Sequence, residues 1–340
     1  MVFRGQALGK YRIIEPLGSG GFGTVYLAED TWIDKRVAIK VPHRQTTDFG
    51  ELLREPRLLA ALNHPNIVTV ITAEKQDGVF FIVMEYVPGE TLETIILEKG
   101  PLDLSVALDY TCQIVNAVDH AHKQNVIHRD LRPANIFVTE RGLLKVGDFG
   151  TSRFLELAAH GTTVIGSPPY MAPEQFEGRA IFGSDLYSIG VTMYQMLTGQ
   201  LPYDMPTPSD LDKLRTGELV SSARLRNPSI PVSIDNVILK ALRADVEDRY
   251  QRAEEILEDI FAARDDLLRR PAPTPAPSPA PVAGRAPSSG RVAGHTPIAV
   301  RSAGRTPVRP PAPTGNRFCW HCRKPLPSRA DRCPFCGESQ

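Results

Sequence analysis

HRDLRPAN, at residues 128–135, sets His128, Arg129, Asp130, Arg132 and Asn135 side by side, a run too polar for a core element and too particular for a linker. Upstream, GSGGFGTV at 18–25 spaces Gly18, Gly20 and Gly23 as GxGxxG. Glycines so spaced permit positive φ and let backbone amides approach a phosphate with no Cβ in the way. Dinucleotide-binding folds use the same spacing, but they need a helix directly after the glycines. Here TVYLAED follows, β-branched and alternating, so the glycines turn a hairpin between two strands. VAIK at 37–40 then places Lys40 on a strand facing that loop, where an inward ammonium is costly unless an anion accepts it. At the far end Cys319, Cys322, Cys333 and Cys336 form C-x2-C-x10-C-x2-C. Two such knuckles present four thiolates at the corners of a tetrahedron, the arrangement zinc takes. His321 is a substitute ligand in a site the cysteines already fill.

These residues need elements to hold them. Residues 10–41 alternate in short β-type runs (Tyr11, Ile13; Val25, Leu27; Val37, Ile39) between loops rich in Gly, Asp and Lys. From about Phe49 to Leu62 the period turns helical, and 79–87 reads as a buried strand. Helical patterns then dominate over 103–123, 184–198, 232–243 and 251–269, with a small hairpin across 136–148. A small β-rich part thus precedes a larger α-rich one, which predicts two lobes.

At Pro271 the composition changes to PAPTPAPSPAP, and residues 271–315 carry no acidic residue but do carry Arg285, Arg291, Arg301, Arg305 and Arg309. This Pro/Ala/Arg-rich stretch reads as a disordered linker, stiff and extended. Its weak repeat (AGRAP, AGHTP, AGRTP) reads as a duplicated tether; the sharper reading is a docking or phosphorylation array, since Thr296 and Thr306 precede prolines near arginines. With 340 residues, 42% hydrophobic and 23% charged, the chain is globular, and its 39 basic residues balance its 39 acidic ones, so no overall bias toward nucleic acid or membrane exists. The N-terminus lacks an apolar signal core, and no apolar run reaches the roughly 18 residues of a membrane span. Without a secretory signal the four clustered cysteines read as metal ligands rather than disulfides, and the expected location is cytoplasmic, with no membrane partner.

GSGGFGTV, VAIK, HRDLRPAN, DFG at 148–150 and APE at 172–174 occur in this order, and over residues 10–268 the chain resembles the eukaryotic-like (Hanks-type) serine/threonine protein kinases. The resemblance implies an α+β bilobal kinase fold, with an N-lobe at 10–84 and a C-lobe at 88–268. It implies ATP, Mg2+ (or Mn2+) and protein substrates with Ser/Thr acceptors. Asp130 would orient the substrate hydroxyl, Arg132 would meet the γ-phosphate, and Asn135 and Asp148 would bind Mg2+, a hard ion that prefers oxygen ligands. Lys40 would meet the phosphates, with Glu55 as its partner. The nucleotide would lie under Leu17, Gly18, Gly20, Gly23, Val25 and Ala38, above Phe137, with Met84 at the rear and the backbone of Glu85 and Val87 at its edge. His128 would be structural, Arg129 would meet a phosphate in the activation segment, and Thr162 and Thr163 are the autophosphorylation candidates. Glu174 would pair with Arg249, and Asp185 would brace the catalytic loop.

Two positions depart from the pattern. Arg132 stands where most such kinases carry lysine, exchanging a compact ammonium for a planar fork. It is reminiscent of some tyrosine kinases, whereas GSPPYMAPE at 166–174 resembles the serine/threonine pattern, with Ser167 replacing threonine and its hydroxyl still able to bond Asp130. Pro56 follows Glu55 directly, so the helix is either kinked or starts near Pro56, with Glu51 the fallback partner of Lys40 and the helix a weak point used for control. The alternatives to a serine/threonine kinase are a pseudokinase scaffold or tyrosine or dual specificity. Residues 316–340 resemble a zinc ribbon, a module for protein or nucleic acid; a protein partner of ribbon and linker is expected, and the composition offers nothing in favour of nucleic acid.

Overall fold

The computed structural model describes residues 2–20, 23–43, 45, 53–149, 167–204, 206, 210–269, 317–318 and 325–326. The alternating runs of the first lobe become an antiparallel six-stranded sheet of order β1-β2-β3-β4-β6-β5. Its strands are β1 (Ala7–Leu8), β2 (Tyr11–Ser19), β3 (Gly23–Asp30), β4 (Lys35–Pro42), β5 (Val70–Gln76) and β6 (Val79–Glu85). One face buries Tyr11, Ile13, Val37, Ile39, Phe81 and Val83 against one another, the every-second-residue pattern that strand geometry demands.

Helix α1 (Arg54–Ala60) follows, with buried Pro56 in its first turn. There a missing N–H costs nothing, because the first helical amides have no intrahelical acceptor. The turn closes through the Arg57 amide on the Leu53 carbonyl at 3.1 Å. Of the two outcomes proline allowed, the described residues show the helix that starts beside it.

The second lobe holds α2 (Leu92–Lys99), α3 (Leu104–Lys123), α4 (Phe182–Thr198), α5 (Leu211–Thr216), α6 (Val232–Ala241) and α7 (Ala253–Arg269); α3, α4, α6 and α7 follow the predicted helical patterns closely, while α2 and α5 lie outside them. Helix α4 is buried on every side from Gly183 to Thr198, which explains its lack of a polar face. At Gly190 a Cβ would stand 2.8 Å from that of Ala241, so glycine sets how closely α4 and α6 approach. A three-stranded sheet of β7 (Glu90–Thr91), β8 (Ile136–Val138) and β9 (Leu144–Val146) carries the segments around the catalytic run. The lobes are tied behind it: the Val68 amide bonds the Val146 carbonyl at 2.9 Å, and Asn66 Nδ2 bonds Gln113 Oε1 and the Leu144 carbonyl, each at 2.9 Å.

No helix among the described residues is long and apolar enough to cross a membrane. Contacts divide the chain into two units, 1–274 and 275–340. In the second unit, β10 (Arg317–Phe318) pairs antiparallel with β11 (Pro325–Leu326). Cys319, Cys322, Cys333 and Cys336, and the linker before them, lie outside the described residues.

Candidate active site

The β2–β3 hairpin brings the glycines over the cleft. A Cβ on Gly23 would stand 2.5 Å from the Val41 carbonyl oxygen, so this glycine is required for close strand approach rather than for positive φ. At Gly18 and Gly20 nothing lies within 4 Å of a would-be Cβ, so the backbone there is open to a ligand. The turn is held by the Gly20 amide on the Gly23 carbonyl at 3.0 Å and by His43 Nε2 meeting the Gly20 carbonyl at 2.9 Å.

On β4, Lys40 stands opposite Val25 and Ile82, and its side chain is 9% exposed. An ammonium so buried needs a counter-charge, and its Nζ donates to Asp148 Oδ1 at 2.6 Å. Burial pushes the Asp148 carboxyl up; the Lys40 ammonium, with His128 and Arg132 beyond it, outweighs this and holds it below the usual carboxylate range. The helix that carries Glu55 is described, but its side chain, like Glu51, lies outside the described residues.

The catalytic run is fixed from beneath. Arg129 and Asp148 both take left-handed backbone (φ 71° and 56°), which costs a non-glycine residue free energy and persists only where the surroundings over-determine it. Asp185, buried on α4, supplies much of that constraint: its carboxylate accepts the His128 amide at 2.8 Å, the Arg129 amide at 2.9 Å and His122 Nε2 at 2.8 Å. Burial raises the Asp185 carboxyl, and the bond and charge of His122, with help from His128, outweigh it to leave the group below its ordinary value. Gln175 Nε2 holds the Arg129 carbonyl at 2.9 Å. His128 is fully buried, its Nε2 on the Gly147 carbonyl at 2.9 Å and its ring 4.5 Å from that of Phe149, in keeping with a structural role.

Above this base Asp130 is held half-buried. Asn135 Nδ2 donates to its carbonyl at 2.8 Å and to its Oδ2 at 3.2 Å, while the Ser167 amide donates to Oδ1 at 3.2 Å. The Ser167 hydroxyl is able to bond Asp130 by its chemistry; the bond present comes from the Ser167 backbone amide. Arg132 lies between two carboxylates, Nε 3.7 Å from Asp130 Oδ2 and Nη1 3.9 Å from Glu93 Oε1.

The walls of the cleft come from the first sheet and from β8. Ala38 pairs with Met84, and Phe137 packs so tightly on Gly147 that a Cβ there would be 2.9 Å from its ring. The Glu85 amide is spent on the Thr69 carbonyl at 2.9 Å, and its carboxylate takes the Thr69 amide at 2.7 Å and Lys145 Nζ at 2.6 Å. Val87 is half-buried in the connection between lobes, and Leu17 is exposed at the mouth. Behind Lys40 and Met84 an apolar gap of about 20 Å³ remains beside Leu59 and Phe149, room for one water at most.

Lys40, Asp130, Asn135 and Asp148 are thus brought into one cleft, while Thr162 and Thr163 lie outside the described residues. Sequence reasoning missed His122, Gln175 and Lys145, whose partners are backbone groups or distant acids that no local spacing announces. The oxygen donors of Asp148 and Asn135, facing a cleft roofed by glycines, are the hard ligands a Mg2+–nucleotide needs.

A two-lobed fold with this cleft is that of the protein kinases, and the chain belongs to the protein kinase domain family, which it matches over residues 11–262. Among its relatives is the serine/threonine-protein kinase PrkC of Bacillus subtilis (strain 168), 39% identical over 264 residues, or 76% of this chain and 41% of that protein. Serine/threonine-protein kinase PknB of Mycobacterium tuberculosis (strain ATCC 25177 / H37Ra) is 36% identical over 266 residues, 74% of this chain and 42% of PknB. A crystal structure of Rad53 1–466 in complex with AMP-PNP superposes with a TM-score of 0.63 at 28% identity, covering 74% of this chain and 64% of that one. The chain spans about two fifths of the length of these curated relatives.

Proposed function

We propose that the chain transfers the γ-phosphoryl group of ATP to serine or threonine hydroxyls of proteins, including its own activation segment. The observation that carries this reading is the meeting of the Lys40–Asp148 ion pair (2.6 Å) with the Asp130–Asn135 pair (3.2 Å) in one cleft beneath the glycine hairpin. Phosphoryl transfer asks a protein mainly for positioning and charge neutralisation. Asp130 accepts a bond from the incoming hydroxyl and aims it; Lys40 and Arg132 are the cations for the phosphates. Asp148 and Asn135 would hold Mg2+, which neutralises charge on the phosphate oxygens when bound. Leu17, Val25, Ala38, Met84 and Phe137 enclose the base, with backbone at Glu85 and Val87 along its edge. The GSPPYMAPE segment at 166–174 and the overall likeness to the serine/threonine-protein kinases PrkC and PknB support serine/threonine rather than tyrosine acceptors.

Within this reading residues 316–340 form a zinc ribbon that recruits a protein partner or substrate. What supports the ribbon is the C-x2-C-x10-C-x2-C spacing, with Cys319 and Cys322 falling in the sequence between the paired strands β10 and β11.

Autophosphorylation with labelled ATP and Mg2+ tests the activity. Wild type should incorporate phosphate on Thr162 or Thr163, and Asp130→Asn should incorporate at least about 100-fold less. Equal incorporation by Asp130→Asn, or by Lys40→Met, sinks the reading.

A further inference from the structure

Glu93 is an acid beside the catalytic run that the transfer chemistry leaves without a task. The fold sets it there from two directions. Thr91 on β7 pairs with Phe137 on β8, so the start of α2 is fastened to the strand that leaves the catalytic run. Thr91 then caps α2, its Oγ1 accepting the Thr94 amide at 3.1 Å, and Glu93 falls in the first turn, where free helix amides favour a carboxylate. Arg132 lies between this acid and Asp130 without a hydrogen bond to either. Its Nη1 is 3.9 Å from Glu93 Oε1 and its Nε is 3.7 Å from Asp130 Oδ2, both beyond hydrogen-bond reach. The Nε is buried and finds no hydrogen-bond partner among the described residues. A guanidinium drawn by charge from two sides, and bonded on neither, has a set position with donors still to give.

Asp130 shows why that suspension matters. An ionised carboxylate has about four acceptor sites. Asn135 Nδ2 takes one on Oδ2, and the Ser167 amide takes one on Oδ1. A fork closed on Asp130 through two parallel bonds would fill the rest and leave the incoming hydroxyl none. Lysine, with one compact ammonium, poses less of that risk, whereas arginine at 132 needs a second acid to draw it off. The charge of Glu93 does reach this region: after burial, it is the largest influence pushing the Tyr170 hydroxyl, in the segment that follows Ser167, up to about 12.

We propose that Glu93 is a positioning residue for phosphoryl transfer. It draws one edge of the Arg132 fork away from Asp130, which keeps that carboxylate open to the acceptor hydroxyl and leaves Arg132 free for the γ-phosphate. The inference rests on the kinase reading, but where the fork lies can be read with no nucleotide present.

Glu93→Gln in the full chain keeps the shape and removes the charge. Its kcat should fall at least about tenfold, as a misplaced catalytic group demands, while the KM for ATP changes less than about twofold. An ion pair this exposed adds little to stability, so the thermal midpoint should stay at the wild-type value, whereas a merely structural role would move it. The defect should be confined to arginine: adding Glu93→Gln to Arg132→Lys should cost no further activity. A second readout needs no transfer at all. In nucleotide-free protein the nitrogen–proton NMR signal of Arg132 Nε, identified by its loss in Arg132→Lys, should move downfield in Glu93→Gln as the fork closes on Asp130. An unmoved signal, an unchanged kcat or an equal loss in both backgrounds overturns the proposal. A raised kcat overturns it too, since Glu93 would then withhold Arg132 from the phosphates. Wild-type chain that transfers no phosphate sinks the kinase reading alone, because the Nε signal still decides where the fork lies.

Discussion

Asp185 performs three tasks with one carboxylate, and its burial makes each of them strong. It satisfies two backbone amides of a strained loop and meets His122 from α3. Asparagine keeps the volume but loses the charge and one acceptor, so Asp185→Asn leaves at least one buried amide poorly paired. Such a loss costs about 1–3 kcal/mol, and because the loop carries Asp130, kcat should fall more than the KM for ATP changes; unfolding and steady-state assays on one preparation check both. The same chemistry sets an acid limit. Asp185 and Glu174 are held below the ordinary carboxylate range, Glu174 because Arg249 and Ser184 outweigh its burial. A group depressed in the folded state contributes stability that is complete above its unfolded value, near ~4. That contribution is lost as pH falls through the lower folded value. Burial and His120 hold the His64 imidazole down at about 4, so thermal stability should begin to decline below about pH 6.5, as the unfolded chain takes up that proton, and should fall steeply below about 4. Arg249, with no side-chain exposure and Nη1 2.9 Å from Glu174 Oε1, is the counter-charge. Arg249→Met strands a buried carboxylate at a cost of about 3–5 kcal/mol near neutral pH; burial then raises the Glu174 carboxyl, so the cost should shrink as pH falls and the group takes up a proton, and an equal cost at neutral and acid pH would show that Glu174 is not part of the acid limb.

At the scale of elements, the helices at 103–123 and 232–243 were legible because each buries one stripe, and they became Leu104–Lys123 and Val232–Ala241 with little change. The strands around VAIK were legible for the same reason at period two. Motif residues were legible because their chemistry is local. The supports were not: Gln175 reaching the Arg129 carbonyl and Lys145 reaching Glu85 join positions 46 and 60 residues apart, and only the closed fold makes them neighbours. Proline at 56 raised a choice that periodicity could not decide, since a kinked helix and a late-starting one share the same stripe. Glycine 23 shows a related gap, its spacing visible as a ligand motif while the reason it must be glycine is the β4 carbonyl 2.5 Å from a would-be Cβ. Gly23→Ala should therefore spread β3 from β4, destabilising by about 1–3 kcal/mol and raising the KM for ATP, whereas Gly18→Ala, with open space around it, should leave stability unchanged. Denaturant midpoints for the two variants decide this; equal losses would refute the distinction.

Across the whole molecule, the two units differ in what can hold them together. Residues 1–274 own a continuous core running from Leu62 through α3 and α4 to Ala263. The last 25 residues have no comparable apolar content, and a segment that short ordinarily folds only with a crosslink or metal. If four thiolates supply that crosslink, metal and fold are one equilibrium in the tail and unrelated to the stability of the larger unit. Purified chain should carry one zinc, and Cys319→Ser with Cys333→Ser should abolish it, since each knuckle would keep only one sulfur. The main thermal transition and autophosphorylation rate should stay as in wild type, while proteolysis should newly cut within 316–340. Full zinc content in the double variant would show that the cysteines are not the ligands. A fall in the main transition would show that the tail's metal contributes to the stability of the kinase unit, contrary to the separation that their unequal cores imply.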